Sequence, residues 1–103
     1  MIVRFNNQYL EDLFENKPVV GKPIYDKNII RKYKKVVQIL KYVDTSQQIY
    51  DFKGLHFEKL SGNLTGYYSC RVDKKFRLIL SFEKDEILIT EIAVVEDLNN
   101  HYY

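Results

Sequence analysis

At 103 residues, 46% hydrophobic and 29% charged, the chain has ordinary globular composition, which excludes a disordered or fibrous protein and fits one domain over residues 1–103. Four Gly and two Pro exclude collagen-like and Pro-rich linker readings. The net charge is only +2 but segregated: Lys27 to Lys41 carries six basic residues and no acidic one, while Glu83 to Tyr103 carries six acidic residues and one basic. That segregation makes polyanions candidate partners, beside the plainer reading of a solvated lysine-rich helix face.

Ile2 to Phe5 alternates weakly and predicts a short strand. Asn7 is placed to cap a short helix through Leu10, Leu13 and Phe14, which the Lys17–Pro23 loop, with Pro18, Gly21 and Pro23, should end. Asp26 is the N-cap of the longest predicted helix, in which Ile29, Ile30, Tyr33, Val36, Val37 and Leu40 recur at helical spacing and lysines fill the opposite face. Asp44, Thr45 and Ser46 then read as a break followed by a weak helical turn. From Leu55 the period changes to two, predicting strands over Leu55–Leu60, Tyr67–Val72, Phe76–Phe82 and Ile87–Val95, with a final helical turn in Asp97–Tyr103. A strand, two helices and an antiparallel meander make a small α+β domain with helices on one sheet face.

A domain this short buries about two-thirds of its unfolded surface, so a shallow surface site is expected rather than a deep cavity. The single cysteine, Cys70, excludes an internal disulfide, and no Cys/His spacing resembles a zinc site. No apolar run approaches a membrane span and no signal-peptide pattern opens the chain, so a cytoplasmic protein is expected.

Alternation also predicts the register of the Tyr67–Phe82 hairpin. Matching the apolar faces sets Val72 opposite Phe76, Cys70 opposite Leu78 and Tyr68 opposite Leu80, with Asp73, Lys74 and Lys75 as the loop. Arg71 then lies directly opposite Arg77 on the other face, beside Ser69. Like charges so opposed destabilise a sheet. Either an anion sits between the two guanidinium forks, or both splay outward or pair with Glu58 or the acidic tail. His56 opens a strand run and a structural role is its plain reading. The terminal His101 and Tyr102 are candidates for proton transfer and base stacking.

The run from Leu55 to Phe82, with Leu60, Gly62, Gly66, Tyr67, the Arg71 strand and Phe76-Arg77-Leu78, resembles the RelE/ParE toxin superfamily, closest to its HigB-like plasmid maintenance killer branch. Ile2-Val3-Arg4-Phe5, Leu13-Phe14 and the Asp97–His101–Tyr102 ending are similar too. The resemblance implies a twisted antiparallel sheet with two N-terminal helices on one face and a C-terminal segment crossing the other. It implies a toxin that cuts mRNA on the ribosome and inhibits translation, silenced by a helix-turn-helix antitoxin with which it binds operator DNA. No metal or cofactor is implied: a base takes the ribose 2′-hydroxyl proton, the oxygen attacks the scissile phosphate, and an acid protonates the leaving oxygen.

Carried over by position, Arg77 binds the phosphate, His56 matches an upstream histidine, and His101 and Tyr102 supply the acid or base and the stacking group. The basic residue expected before the loop glycine is here Ser61, and Lys59 is the substitute. Arg71, Lys74, Lys75, Lys34 and Lys35 are the RNA-binding candidates. Two other classes stay open at this point: a ParE-like inhibitor of DNA gyrase, and a non-catalytic module that binds antitoxin and operator DNA.

Overall fold

In the computed structural model, which describes residues 1–100, both predicted helix starts are capped as the sequence specifies. The Asn7 side chain accepts from Leu10 N–H at 3.1 Å and starts α1 (Gln8–Phe14). Asp26 accepts from Ile29 N–H at 2.8 Å and starts α2 (Lys27–Tyr42). Each caps one of the N–H groups that a helix start leaves without a partner. At the other end of α2 the Met1 ammonium donates to the carbonyls of Leu40 and Lys41 at 3.2 and 3.1 Å, and to that of Val43. That positive charge lies against the negative end of the helix dipole.

Five strands follow the order β1-β5-β4-β3-β2: β1 (Ile2–Phe5), β2 (Glu58–Lys59), β3 (Tyr68–Arg71), β4 (Arg77–Asp85) and β5 (Thr90–Asn99). Strands β2 to β5 form the expected antiparallel meander, and β1 joins its edge in parallel to β5, making the sheet mixed. The β3–β4 register is the predicted one, Tyr68 opposite Leu80, Cys70 opposite Leu78 and Arg71 opposite Arg77. Asp73 closes the hairpin by accepting from the N–H groups of Lys75 and Phe76 at 2.8 and 2.7 Å.

One face of the sheet is buried under the helices. The stripe Ile29, Tyr33, Val36, Val37 and Leu40 shares a core with Leu10 and Leu13 of α1 and with Cys70, Leu78, Leu80, Val95 and Leu98 of the sheet. Phe57, Tyr68 and Phe82 extend it as an aromatic cluster, with Phe57 stacked on Tyr68 at 5.3 Å between ring centroids. Burial pushes the Cys70 thiol up to about 12, against the lowering charge of Arg77, so it stays protonated as a core side chain. Tyr33 is fully buried, and its hydroxyl donates to the Leu10 carbonyl at 2.6 Å, tying α2 to α1.

Three predicted elements differ. The strand expected over Leu55–Leu60 shrinks to Glu58–Lys59, because a 3-10 turn occupies Lys53–Leu55 and His56 adopts a left-handed conformation with φ 44°. The strand expected over Ile87–Val95 begins only at Thr90. Asp85 accepts from the N–H groups of Ile87 and Leu88 at 2.9 and 2.8 Å, making that stretch a turn. Asp97 to Asn99 continues β5 instead of starting a helical turn, since these residues pair with Ile79 to Arg77. The register shift beside Ile79 leaves Glu96 as an extra residue in β5, a bulge, and its carboxylate takes hydrogen bonds from Ser81 and Asn6 at 2.7 and 2.8 Å. Among the described residues no helix is long and apolar enough to cross a membrane.

Tyr33→Phe should cost about 1 kcal/mol, the net worth of one hydrogen bond. It would appear as a lower urea midpoint at unchanged m-value; an unchanged midpoint would mean that the inter-helix bond carries no stability.

Candidate active site

Because Cys70, Leu78 and Leu80 face the helices, their strand neighbours Ser69, Arg71, Arg77 and Ile79 must face the other way. Glu58 pairs with Ser69 and joins this open face from β2, and Asn99 pairs with Arg77 from β5. The face therefore gathers polar groups from four strands around one guanidinium.

Arg77 is held on three sides. Its Nε donates to Ser69 Oγ at 2.9 Å, its Nη2 donates to the His56 carbonyl at 2.9 Å, and the same nitrogen lies 3.2 Å from Glu58 Oε1. The side chain is 23% exposed, so its fork is reachable from solvent but not free to wander. His56 presents its carbonyl there because its backbone is left-handed, φ 44° and ψ 49°. That conformation costs a non-glycine residue about 1–3 kcal/mol and gathers at functional sites.

The opposed arginines are kept apart rather than left to repel. Arg71 turns toward the hairpin loop, where its Nε donates to the Asp73 carbonyl at 3.2 Å and its Nη1 lies 3.4 Å from His56 Nε2. His56 thus meets Arg77 with its carbonyl and Arg71 with its ring. Pairing with Glu58, one of the alternatives open from sequence, is present at Arg77.

Arg71, Lys74 and Lys75 come together, lining a groove with Asp26, Ile29, Lys32, Asp73 and Phe76. Lys32 is a cation of this cluster that sequence reasoning did not single out. Lys34 and Lys35 are not part of it. They lie on the helix side of the sheet, lining a shallow groove on α2 with Lys27, Ile30, Arg31 and Gln38, and Lys34 donates to Asn16 Oδ1. Lys59 is also displaced from its expected place, since it pairs with Tyr68, a residue of the helix-side cluster. The strand delivers Glu58, not Lys59, to Arg77. Alternation outward from the apolar Phe57 was the signal for Glu58, and the open-face register was the signal for Ser69. His101 and Tyr102 lie outside the described residues; β5 ends at Asn99, directly opposite Arg77. Among the described residues no group of three His, Cys, Asp or Glu side chains gathers as a metal site.

Solved structures similar to this chain share its fold across nearly their whole length. A YoeB/ParE toxin from Agrobacterium tumefaciens is 18% identical, with 99% of this chain and 100% of that chain covered and a TM-score of 0.62. YafQ from E. coli strain BL21(DE3) is 12% identical, with 96% and 91% covered and a TM-score of 0.59. YoeB in the YoeB–YefM complex from Staphylococcus aureus is 26% identical, with 99% and 98% covered and a TM-score of 0.55. The comparison with curated proteins yields no match.

The fold is therefore that of the RelE-like toxins. Within that class the chain belongs to the HigB-like toxin family, described as RelE-like toxins of the type II toxin–antitoxin system HigB, whose family model matches residues 3–94. It is a type II toxin of this superfamily.

The hairpin loop beside the site carries a pH dependence. Burial raises the Asp73 pKa, but the N–H groups of Phe76 and Lys75 and the charges of Lys32 and Arg71 outweigh it, so the carboxyl titrates below its ordinary value. A folded-state pKa below the unfolded one gives stabilisation that is complete above the unfolded value and lost as pH falls through the folded one. The Lys75 and Phe76 amide resonances should therefore titrate with a midpoint below about 3.9, the ordinary Asp value. A midpoint at or above it would contradict this loop geometry, and Asp73→Asn should abolish the transition.

Proposed function

We propose that this toxin is a ribosome-dependent mRNA endoribonuclease whose scissile phosphate is held by Arg77, and that it inhibits translation in the cytoplasm. One observation carries the reading: a pre-oriented guanidinium, 23% exposed, on the open sheet face, with an anion, the Glu58 carboxylate, already 3.2 Å from its Nη2. A carboxylate and a phosphate present the same paired oxygens to arginine. A phosphate entering this fork displaces Glu58 and leaves a carboxylate beside the reacting centre.

Chemistry at that centre needs a proton acceptor, a proton donor and charge stabilisation. Glu58 is the acceptor of the ribose 2′-hydroxyl proton. The 2′-oxygen attacks phosphorus, Arg77 stabilises the charge gathering on the phosphoryl oxygens, and the bond to the leaving 5′-oxygen breaks. His101 is assigned the proton delivered to that oxygen and Tyr102 the stacking of a base, as the family resemblance implies. Arg71, Lys74 and Lys75, with Lys32, line the adjoining groove and bind neighbouring phosphates. The His56 ring lies 3.4 Å from Arg71 and orients it. Lys34 and Lys35 belong to a second basic surface suited to ribosomal RNA.

Staphylococcus aureus YoeB is solved together with YefM, which supports a protein antitoxin as the cognate partner here. The helix-turn-helix character of that antitoxin, and operator DNA as a ligand of the complex, follow from the HigB-like resemblance.

Induction of the chain in a bacterial host, with RNA ends mapped within minutes, tests the reading. Attack by the 2′-oxygen predicts 2′,3′-cyclic phosphate and 5′-hydroxyl ends within translated frames. Growth arrest with intact mRNA would replace it by a gyrase-type inhibitor, and no growth effect by a module that only binds antitoxin and DNA. Glu58→Gln keeps an oxygen for Arg77 but no basic carboxylate, so it should lower kcat by about 10²–10⁴-fold, the usual worth of general base catalysis, with substrate binding retained. Wild-type kcat in that variant would remove Glu58 from the mechanism.

A further inference from the structure

We infer that Ser69 is a positioning residue for Arg77, fixing the plane of its guanidinium without touching substrate. The inference rests on the phosphate-binding reading of Arg77. Ser69 is fully buried, and among the described residues no other Ser, Thr, Asn, Gln or charged side chain is. It sits in β3 between Glu58 on β2 and Ile79 on β4. Strand positions of this kind favour β-branched and aromatic side chains that fill the pleat. A small hydroxyl there loses packing and hydration, and only a hydrogen bond offsets the loss. The bond it makes is with Arg77 Nε at 2.9 Å, reached diagonally across the strand pair.

The geometry explains why that bond matters. An arginine head is planar but sits on a long, rotatable stem. Anchoring Nη2 alone, on the His56 carbonyl at 2.9 Å, would leave the plane free to swing about that nitrogen. Anchoring Nε on Ser69 as well defines two points of the plane and stops the swing. The Glu58 contact is no substitute, because the phosphate displaces it. Ser69 thus keeps the fork aligned during the interval when Glu58 has left and the phosphate is reacting. Misplacing a reacting group by about 1 Å can cost about 10²-fold in rate.

The test compares wild type, Ser69→Ala and Ser69→Thr in single-turnover cleavage on programmed ribosomes. Alongside, the Arg77 Nε–H resonance is followed by nitrogen-edited NMR and unfolding is followed in urea. Ser69→Ala should lower kcat about 10–100-fold with KM nearly unchanged, the signature of lost alignment rather than lost binding. The Nε–H signal should exchange slowly with solvent in wild type and be lost in Ser69→Ala. Ser69→Thr restores the acceptor oxygen and should restore both signal and rate. Wild-type kcat and an intact signal in Ser69→Ala would overturn the inference. So would equal loss in the Ala and Thr variants tracking the urea midpoint, since that marks a packing role. If wild type does not cleave mRNA, the nuclease reading fails while the Nε–H comparison still decides whether Ser69 orients Arg77.

Discussion

The register of β3 against β4 is held by what the helices bury. Cys70, Leu78 and Leu80 share the core with Tyr33, Val37 and Leu40 of α2. A slip of one residue would turn one strand over, exchanging Cys70 for Ser69 and Arg71 in β3, or Leu78 and Leu80 for Arg77 and Ile79 in β4, because successive side chains point to opposite faces. A guanidinium would then lose water inside an apolar core, at a cost no local contact repays. The apolar face therefore dictates the polar one. Placing Arg71 opposite Arg77 is a consequence of where the leucines must go.

That placement is unfavourable by itself, and the neighbouring chain is shaped to relieve it. The left-handed turn at His56 brings a carbonyl to Arg77 and an imidazole to Arg71, so one strained residue meets both arginines. Ser69 and Glu58 complete the Arg77 cradle, while the Asp73 carbonyl draws Arg71 toward the loop. Repulsion is thereby relieved by orienting the two guanidinium groups separately on one polar face. The same turn shortens β2 to two residues, leaving a short edge strand of the kind that does not template aggregation.

How much of this was legible in the sequence depended on the range of the forces involved. The helix caps at Asn7 and Asp26, the stripe of α2 and the β3–β4 register all follow from local hydrogen bonding and hydrophobic period, and each was found. The position of β1 was not, because parallel pairing with β5 joins residues at opposite ends of the chain, as in Val3 opposite Ala93. His56 was misplaced in a strand because nothing in Leu55-His56-Phe57 announces a positive φ at a non-glycine residue. Lys59 was chosen as the substitute for the basic residue missing at Ser61, two residues earlier on the same side of a strand, whereas the alternation that begins at Phe57 assigns the open face to Glu58. Arg77 was singled out from its register and resemblance; its three holders, Ser69, His56 and Glu58, are contacts that only the folded chain assembles.

If Arg77 is the phosphate-binding group of an mRNA-cutting site, as proposed, cleavage cannot survive its loss. The decisive experiment compares wild type with Arg77→Ala, matched for urea midpoint, in cleavage of a defined mRNA on programmed ribosomes. Discrete cuts with wild type should vanish in the variant while its fold stays intact. Cuts that persist at the wild-type rate in a folded Arg77→Ala protein would mean that Arg77 does not hold the scissile phosphate.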